Sequence, residues 1–515
     1  MDKPKRAKPK IIRWAPAALL ILAQVVFVIW VLYQLTIRWS WTPFLVFEGL
    51  AIVMSVRVAY KQDNPSYKIS WIIVLLLLPF VGLLLYLFMG RRGLPFWMKK
   101  SIVNISLGTH GLLTSSPETE KSLGQQFPMH ERESLLLARQ GRSPLYQGTS
   151  TRFYPLGELG YQAMLEELEK AQRFIFLEYF IVSAGQMWDG IHEILRRKAK
   201  EGVDVRLMYD DFGSMNSHPK GFRSQLTREG IQVRPFNRID PRISNFYMNY
   251  RDHRKILVID GNVGFTGGVN LADEYINVVD AHGHWKDCVL MLKGEAVWSF
   301  TMMFLGSWHF SANEDPYDHT RYLSLRPTVQ VEDDGFVQPY GDSPLDNVNP
   351  AEGVYMQMIY NARRYVYIAT PYLILDNEMV TALCTAASSG VDVRIVTPAH
   401  GDHGYVHMAT RSSYGSLLEA GVRIYEYTPG FIHSKLFVSD DQVATVGSVN
   451  MDFRSFYLHF ECGVWMAGSQ AVTQVRDDML STMEQSEEIL YEVWKRRPWY
   501  VKVGQMFLHL IAPMM

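Results

Sequence analysis

The sequence predicts an α/β body made of two tandem copies of one unit, preceded by transmembrane helices. Three observations carry that expectation. From about residue 150, short apolar strands alternate with amphipathic helices, and the alternation runs through twice. A pattern H-x-K-x4-D, followed by G-[GS]-x-N, falls at the same place in each pass. Long charge-free apolar runs are confined to the first 90 residues. Over all 515 residues, 51 Lys+Arg balance 52 Asp+Glu. That balance excludes a generally basic nucleic-acid binder and an acidic tail protein. Cys288, Cys384 and Cys462 are too few and too scattered for a disulfide framework or a Cys-rich zinc site.

Residues 1–90 read as a membrane region. Segments 14–35 and 69–90 carry no charge and are long enough to cross a bilayer, and Pro79 and Gly82 are tolerable inside a membrane helix. Segment 41–60, interrupted by Glu48 and Arg57, reads as a third span, an interfacial helix or a re-entrant segment. Lys3, Lys5, Arg6, Lys8, Lys10 and Arg13 precede the first run, and Arg91, Arg92, Lys99 and Lys100 follow the last. Both flanks are therefore expected on the cytoplasmic side, which requires an even number of crossings and favours two. A multi-pass protein of the cell membrane with a cytoplasmic catalytic body follows. A second long run after the first argues against a cleaved signal peptide.

Residues 91–150 are polar and mixed, and read as a linker packing on the first repeat. Residues 151–312 form that repeat: a strand at Phe174–Tyr179, a helix over 188–201, a second strand from Val203, and a third after Gly230. Residues 313–350, rich in Asp, Pro and Gly, read as an inter-repeat linker. Residues 351–498 repeat the pattern, with a strand at Tyr365–Ala369, a helix over 377–389, a strand from Val391 and another after Gly421. Gly202, Gly230, Gly390 and Gly421 each sit where a helix closes before a strand. Residues 499–515 are apolar, too short to span comfortably, and read as an interfacial segment lying on the membrane.

The chemistry is concentrated in the paired motif. His253, Lys255 and Asp260 are followed by Asn270; His433, Lys435 and Asp440 are followed by Ser448 and Asn450. One such match arises by chance in a few per cent of chains this long; two, at equivalent places with matching tails, make coincidence a poor explanation. Alternation along a strand puts each His and Lys on one face. If the repeats pack face to face, two imidazoles, two ammoniums and two amides meet in one cleft suited to a phosphodiester. Lysines and amides neutralise its non-bridging oxygens. One neutral histidine attacks phosphorus and the other, protonated, donates to the leaving oxygen. No metal or cofactor is required.

With these motifs the chain resembles the phospholipase D superfamily and, within it, the bacterial cardiolipin synthases. The resemblance extends to Pro79-Phe80-Val81-Gly82, Tyr275, His284-Trp285-Lys286-Asp287, Thr370-Pro371-Tyr372, Asn450-Met451-Asp452-Phe453-Arg454-Ser455 and Trp494-Lys495-Arg496-Arg497-Pro498-Trp499. It implies that His253 forms a covalent phosphatidyl-histidine and that His433 is the general acid, then base; the near-symmetry of the motifs also allows the reverse. It implies that Lys255, Lys435, Asn270, Asn450 and Ser448 hold the phosphate, that Asp287 and Glu461 orient the histidines, and that Asp260 and Asp440 are structural members of the motif. The implied activity moves a phosphatidyl group from one phosphatidylglycerol to another and releases glycerol. The partners are then phosphatidylglycerol and membrane lipid, with no nucleic acid. Close alternatives are hydrolysis by water or a phosphatidylethanolamine donor; a nuclease or a non-enzymatic membrane scaffold fits the two intact motifs and the membrane region less well. Two departures stand out: Gly268 occupies the place of Ser448, and His459 stands where the family often has Asn.

Other signals are weaker. His400, His403 and His407, with Asp402, have metal-ligand spacing if helical, but follow a strand and read better as loop residues or head-group contacts. Tyr209-Asp210-Asp211-Phe212-Gly213 follows the matching strand of the first repeat, where acids serve as caps or substrate contacts. No G-x-S-x-G, H-E-x-x-H or G-x-x-x-x-G-K pattern occurs, which disfavours serine esterases, zincins and P-loop enzymes.

Overall fold

The computed structural model describes residues 42–90, 111–215, 217–238, 250–312, 323–345 and 348–512, with isolated positions between 22 and 33. They fall into two compact units, essentially residues 1–93 and 94–515.

In the first unit, helix α1 spans Thr42–Tyr60, α2 Pro65–Leu77 and α3 Pro79–Met89. The expected span 69–90 is not one helix. Leu78 leaves the helical region (φ −129°, ψ 66°), Pro79 starts α3, and the chain folds back. The rings of Trp71 and Tyr86 lie 5.1 Å apart, whereas fifteen residues of straight helix would separate them by about 22 Å. Gly82 makes the return possible, because a Cβ there would stand 2.6 Å from the Val74 carbonyl oxygen. Proline, which supplies no N–H to continue the helix, and glycine, which admits a backbone, together turn an apolar run into a helical hairpin. The interrupted segment 41–60 is instead the continuous helix. Among the described residues no helix is long and apolar enough to cross a membrane; the expected span 14–35 lies mostly outside them.

The second unit begins with helices α4 (Pro117–Gln126) and α5 (Glu131–Gln140). They pack on the second repeat rather than, as expected, the first. His130 Nε2 lies 3.0 Å from Gln442 Oε1, and buried Glu133 accepts from Trp465 Nε1 at 2.9 Å and from Asn361 Nδ2 at 2.9 Å. A buried carboxylate needs such donors, and the second repeat supplies them.

The first repeat is a seven-stranded sheet of β1 (Thr149–Tyr154), β2 (Phe174–Tyr179), β3 (Asp204–Asp210), β4 (Gln232–Phe236), β5 (Lys255–Ile259), β6 (Val263–Gly267) and β7 (Val289–Gly294), in the order β1-β7-β6-β5-β2-β3-β4. The second holds β8 (Phe336–Asp342), β9 (Tyr365–Ala369), β10 (Asp392–Pro398), β11 (Arg423–Tyr427), β12 (Leu436–Ser439), β13 (Val443–Gly447), β14 (His459–Ala467) and β15 (Ser486–Ile489), in the order β8-β14-β13-β12-β9-β10-β11-β15. The order is the same in both, with β15 added at one edge. Stretch 313–350 is therefore not all linker: β8 lies in it and pairs antiparallel with β14 as β1 pairs with β7.

Helices α6 (Gln186–Lys200) and α7 (Asn377–Ser388) cross over between the parallel strands. α6 buries Met187, Ile191, Ile194 and Leu195, the helical period the sequence displays. The glycines that close these connections, Gly202 and Gly390, have φ of +92° and +95°, which a side chain would strain. Phe176, Ile256, Val258 and Leu290 of one sheet and Tyr367, Leu436, Val438 and Val464 of the other belong to a single apolar layer. The repeats thus share one core, and their motif strands are brought together by it.

Candidate active site

Two short parallel pairings cross between the repeats. Arg251–Asp252 pairs with His459–Phe460, and His284–Lys286 pairs with Gly430–Ile432. The backbone N–H of His253 donates to Phe460 at 2.9 Å and that of His433 to Lys286 at 2.7 Å. Each motif histidine is thereby set beside the residue that follows the partner strand in the other repeat. His253 Nδ1 lies 2.9 and 3.0 Å from the two oxygens of Glu461, and His433 Nδ1 lies 2.7 Å from Asp287 Oδ2. All four side chains are buried. With Nδ1 held by a carboxylate, Nε2 of each ring is the atom left for chemistry.

The two pairs are built differently. Asp287 Oδ1 accepts from the Cys288 backbone N–H at 2.8 Å, and a Cβ at position 268 would stand 2.1 Å from it, so Gly268 makes room for the shorter acid. Glu461 is held by two hydroxyls, Ser448 Oγ at 2.5 Å and Ser455 Oγ at 2.8 Å. The hydroxyl of Ser448, expected to bind phosphate, donates to Glu461 in this structure. It also accepts from the Cys462 N–H at 3.0 Å and is buried. Ser455 was not singled out as a site residue, although its segment stood out in the sequence. Its cue is local: Asp452 caps the helix Phe453–Tyr457 by accepting from the Ser455 N–H at 2.8 Å, a turn that points the hydroxyl back towards Glu461.

Lys255 Nζ and Lys435 Nζ each donate to the carbonyl oxygen of the histidine two residues before. Lys435 Nζ also lies 3.0 Å from His433 Nε2. Asn270 donates to the Tyr275 hydroxyl at 2.7 Å and accepts from the Ile181 N–H at 3.1 Å, while Asn450 Oδ1 is buried without a partner among the described residues. Asp260 and Asp440 stand apart from the cleft. Both have left-handed backbones, φ +56° and +55°, and each carboxylate accepts from three successive N–H groups, of Gln172, Arg173 and Phe174 in one repeat and Arg363, Arg364 and Tyr365 in the other. They pin the motif hairpin to the start of β2 and β9.

The charged groups of the two motifs act on one another. Burial, then the charges of Lys255, Lys435 and His433, push the His253 imidazole well below its ordinary range. Burial and Lys435 lower His433 to about 4, against the pull of Asp287. Burial brings Lys255 down to about 7 and Lys435 to about 8. An anion entering the cleft reverses these shifts by favouring every charged form.

His459 packs beside this centre, its ring 5.5 Å from His253, and burial lowers it to about 3. His253, His459 and Glu461 are, among the described residues, the group with metal-ligand spacing, and it overlaps the histidine–carboxylate pair itself. His400, His403 and His407 form no such group there; His403 pairs with Asp402 at 2.9 Å.

The comparisons agree with this arrangement. The family described as "Cardiolipin synthase, PLD-like domain" matches residues 164–283 and 355–483, one match per repeat, and "Phospholipase_D-nuclease N-terminal" matches residues 49–91. A cardiolipin synthase of Geobacillus sp. (strain WCH70) is 36% identical over 91% of this chain and 94% of its own length. The chain belongs to the cardiolipin synthase family. Cardiolipin synthase 2 of Bacillus cereus is 33% identical over 91% of both chains, and an uncharacterized protein of Streptococcus mutans is 40% identical over 88% of this chain and 98% of its own. The crystal structure of phosphatidylserine synthase from Haemophilus influenzae superposes with a TM-score of 0.58 at 13% identity, covering 75% of this chain and all of that one, which shows the shared fold. As a cardiolipin synthase family member with both phospholipase D-like repeats, the protein is an enzyme, a phospholipid phosphatidyltransferase.

Proposed function

We propose that the protein makes cardiolipin from two molecules of phosphatidylglycerol through a phosphatidyl-histidine at His253. The observation that carries this reading is the reciprocal pairing of His253 with Glu461 and His433 with Asp287, with both lysines in the same cleft. Lys255 and Lys435 neutralise the phosphate. His253, neutral and oriented through Nδ1, attacks phosphorus through Nε2. His433 gives its Nε2 proton to the departing glycerol oxygen. A second phosphatidylglycerol enters, His433 takes the proton of its hydroxyl, and the oxygen attacks the phosphatidyl-histidine, restoring both rings. Burial and the neighbouring lysine charges keep His253 neutral, as a nucleophile needs, while Asp287 pulls His433 towards its protonated form against the effect of burial, a pull that the incoming phosphate reinforces. With labelled phosphatidylglycerol in mixed micelles, equimolar glycerol and cardiolipin are expected. Phosphatidic acid as the main product overturns the transfer reading, and a preference for phosphatidylethanolamine overturns the donor.

The same reading places the enzyme at a membrane. In the first unit, α1 exposes Leu45, Val46, Leu50, Ile52, Val53 and Val56, an apolar surface suited to lipid. In the second, helix α8 (Gly404–Ser412) packs on α9 (Trp499–Ile511), where Ser412 Oγ lies 3.4 Å from His509 Nδ1. The outer face of α9 bears Trp499, Tyr500, Val503, Met506 and Phe507, with Trp499 75% and Met506 70% exposed. Lys495, Arg496 and Lys502 rim it, the pattern of a helix lying on anionic lipid. Replacing Trp499, Met506 and Phe507 together with Ser is expected to slow turnover on phosphatidylglycerol vesicles roughly tenfold, with much less effect in saturating micelles. Equal rates on vesicles would sink the surface role of α9.

A further inference from the structure

The acids that follow the matching strands of the two repeats are used differently. Asp210, at the end of β3, is fully engaged. Its Oδ1 accepts from the Phe212 and Gly213 N–H groups at 2.9 and 3.0 Å, and its Oδ2 from the Asp252 N–H at 3.0 Å. It ties down the chain just before His253 and is structural. Asp402, in the loop after β10, is held by one oxygen only. Oδ2 accepts from the Tyr372 hydroxyl at 2.7 Å and lies 2.9 Å from His403 Nδ1. Oδ1 is buried and, among the described residues, has no hydrogen-bond partner. Burial raises the proton affinity of this acid, but the hydrogen bonds from His403 and Tyr372 outweigh it, and the carboxyl stays below its ordinary range. An ionised, buried oxygen without a donor is rare in a folded protein unless a ligand supplies one.

Its surroundings belong to the His433 side of the cleft. The Tyr275 ring lies 5.4 Å from the His433 ring, and the Tyr275 hydroxyl accepts from Asn270, which leaves its own O–H to donate. The Asp402 charge acts on both Tyr275 and Tyr372, and His433 acts on Asp402. One free acceptor and one free donor, beside the residue that moves the proton, form the set that reads an alcohol group. An ammonium head group carries donors too, but it would join Lys255 and Lys435 in one cleft against their charge.

We propose that Asp402 Oδ1 and the Tyr275 hydroxyl form a subsite for a second hydroxyl of the glycerol head group, next to the oxygen that His433 protonates or deprotonates. The inference rests on the phosphatidylglycerol reading above and makes Asp402 the residue that selects a polyhydric alcohol as leaving and entering group. A site with a buried acceptor discriminates against a partner that lacks the hydroxyl, because the acceptor is then desolvated and unpaired.

The test compares Asp402→Asn and Asp402→Ala with the unchanged full-length chain in micelles, using phosphatidylglycerol and phosphatidylethanol as donors. The second has the same phosphate but no further hydroxyl. The loss in kcat/KM is expected to be roughly 10–100-fold with phosphatidylglycerol, carried mainly by KM, and at least about tenfold smaller with phosphatidylethanol. Equal losses with the two donors overturn the subsite. Binding of glycerophosphoglycerol to the His253→Ala chain, measured by calorimetry, gives an independent reading. It is expected to weaken about tenfold or more when Asp402→Ala is added, and unchanged affinity overturns the proposal. Failure of the unchanged chain to release glycerol would instead count against the phosphatidylglycerol reading, and the binding measurement would still decide the role of Asp402.

Discussion

His253→Ala is expected to lower glycerol release from phosphatidylglycerol by about 10⁴-fold or more, and His433→Ala by a comparable factor. Removing the nucleophile leaves no atom to carry the phosphatidyl group, and removing the acid leaves the glycerol oxygen to depart as an alkoxide. The two variants should differ in stability. Without His253, Glu461 keeps the hydroxyls of Ser448 and Ser455. Without His433, Asp287 keeps the Cys288 N–H on Oδ1, but its Oδ2 loses the partner 2.7 Å away. A buried carboxylate oxygen left without that donor costs about 1–3 kcal/mol. Thermal unfolding is therefore expected to show His433→Ala less stable than His253→Ala at equal loss of activity. Turnover above one per cent of the unchanged rate in either variant would exclude the two-histidine mechanism. Equal melting of the two would mean that Asp287 finds another donor.

How much of this was legible from the sequence depends on the range of the signal. The strand Phe174–Tyr179, the helix behind it and the glycines at 202 and 390 were readable because period and punctuation are local. The repeat was readable because the chain prints it twice. The pairing of each histidine with a carboxylate of the other repeat was not: Glu461 lies 208 residues from His253, and nothing in the spacing says that Arg251–Asp252 and His459–Phe460 pair as parallel strands. The resemblance suggested Asp287 and Glu461 as orienting acids, but only packing decides which histidine each one holds. The bond from Ser448 to Glu461 was not legible for the same reason. The place of Ser448 in the motif tail suggested phosphate, and the sequence does not show that Glu461, one methylene longer than Asp287, also takes the hydroxyl that Gly268 would withhold. The expected single span 69–90 failed at a different step. Charge-free length reads as a span on any hydropathy argument, and Pro79 and Gly82 read as tolerable kinks. Whether such a pair bends a helix or reverses it depends on what lies against the glycine, here the Val74 carbonyl.

Lys255→Met and Lys435→Met are expected to reduce kcat/KM for phosphatidylglycerol by about 10³-fold while raising the thermal midpoint by a few degrees. Both lysines are buried, and burial lowers their proton affinities to about 7 and about 8, from about 10.4 in the unfolded chain. The sign follows from proton counts. Between the folded and unfolded values the unfolded chain holds the proton and the folded chain does not, so stability rises with pH across that window. Below about 7 both states are charged, and the full penalty of burying two ammoniums, on the order of a few kcal/mol, weighs on the fold. Activity runs the other way, because only the charged lysines neutralise a phosphodiester. On top of the titration of His433, which the bound phosphate must hold protonated, the unchanged enzyme should therefore show a further loss of kcat/KM, chiefly through KM, as pH climbs past about 7–8, while its melting temperature increases. Neutral His253 sets no acid limb until well below its ordinary range. In the methionine variants the pH dependence of melting should flatten, since the group responsible for it is gone. Parallel rather than opposite trends of activity and stability with pH would show that these lysines are not the cations of the cleft.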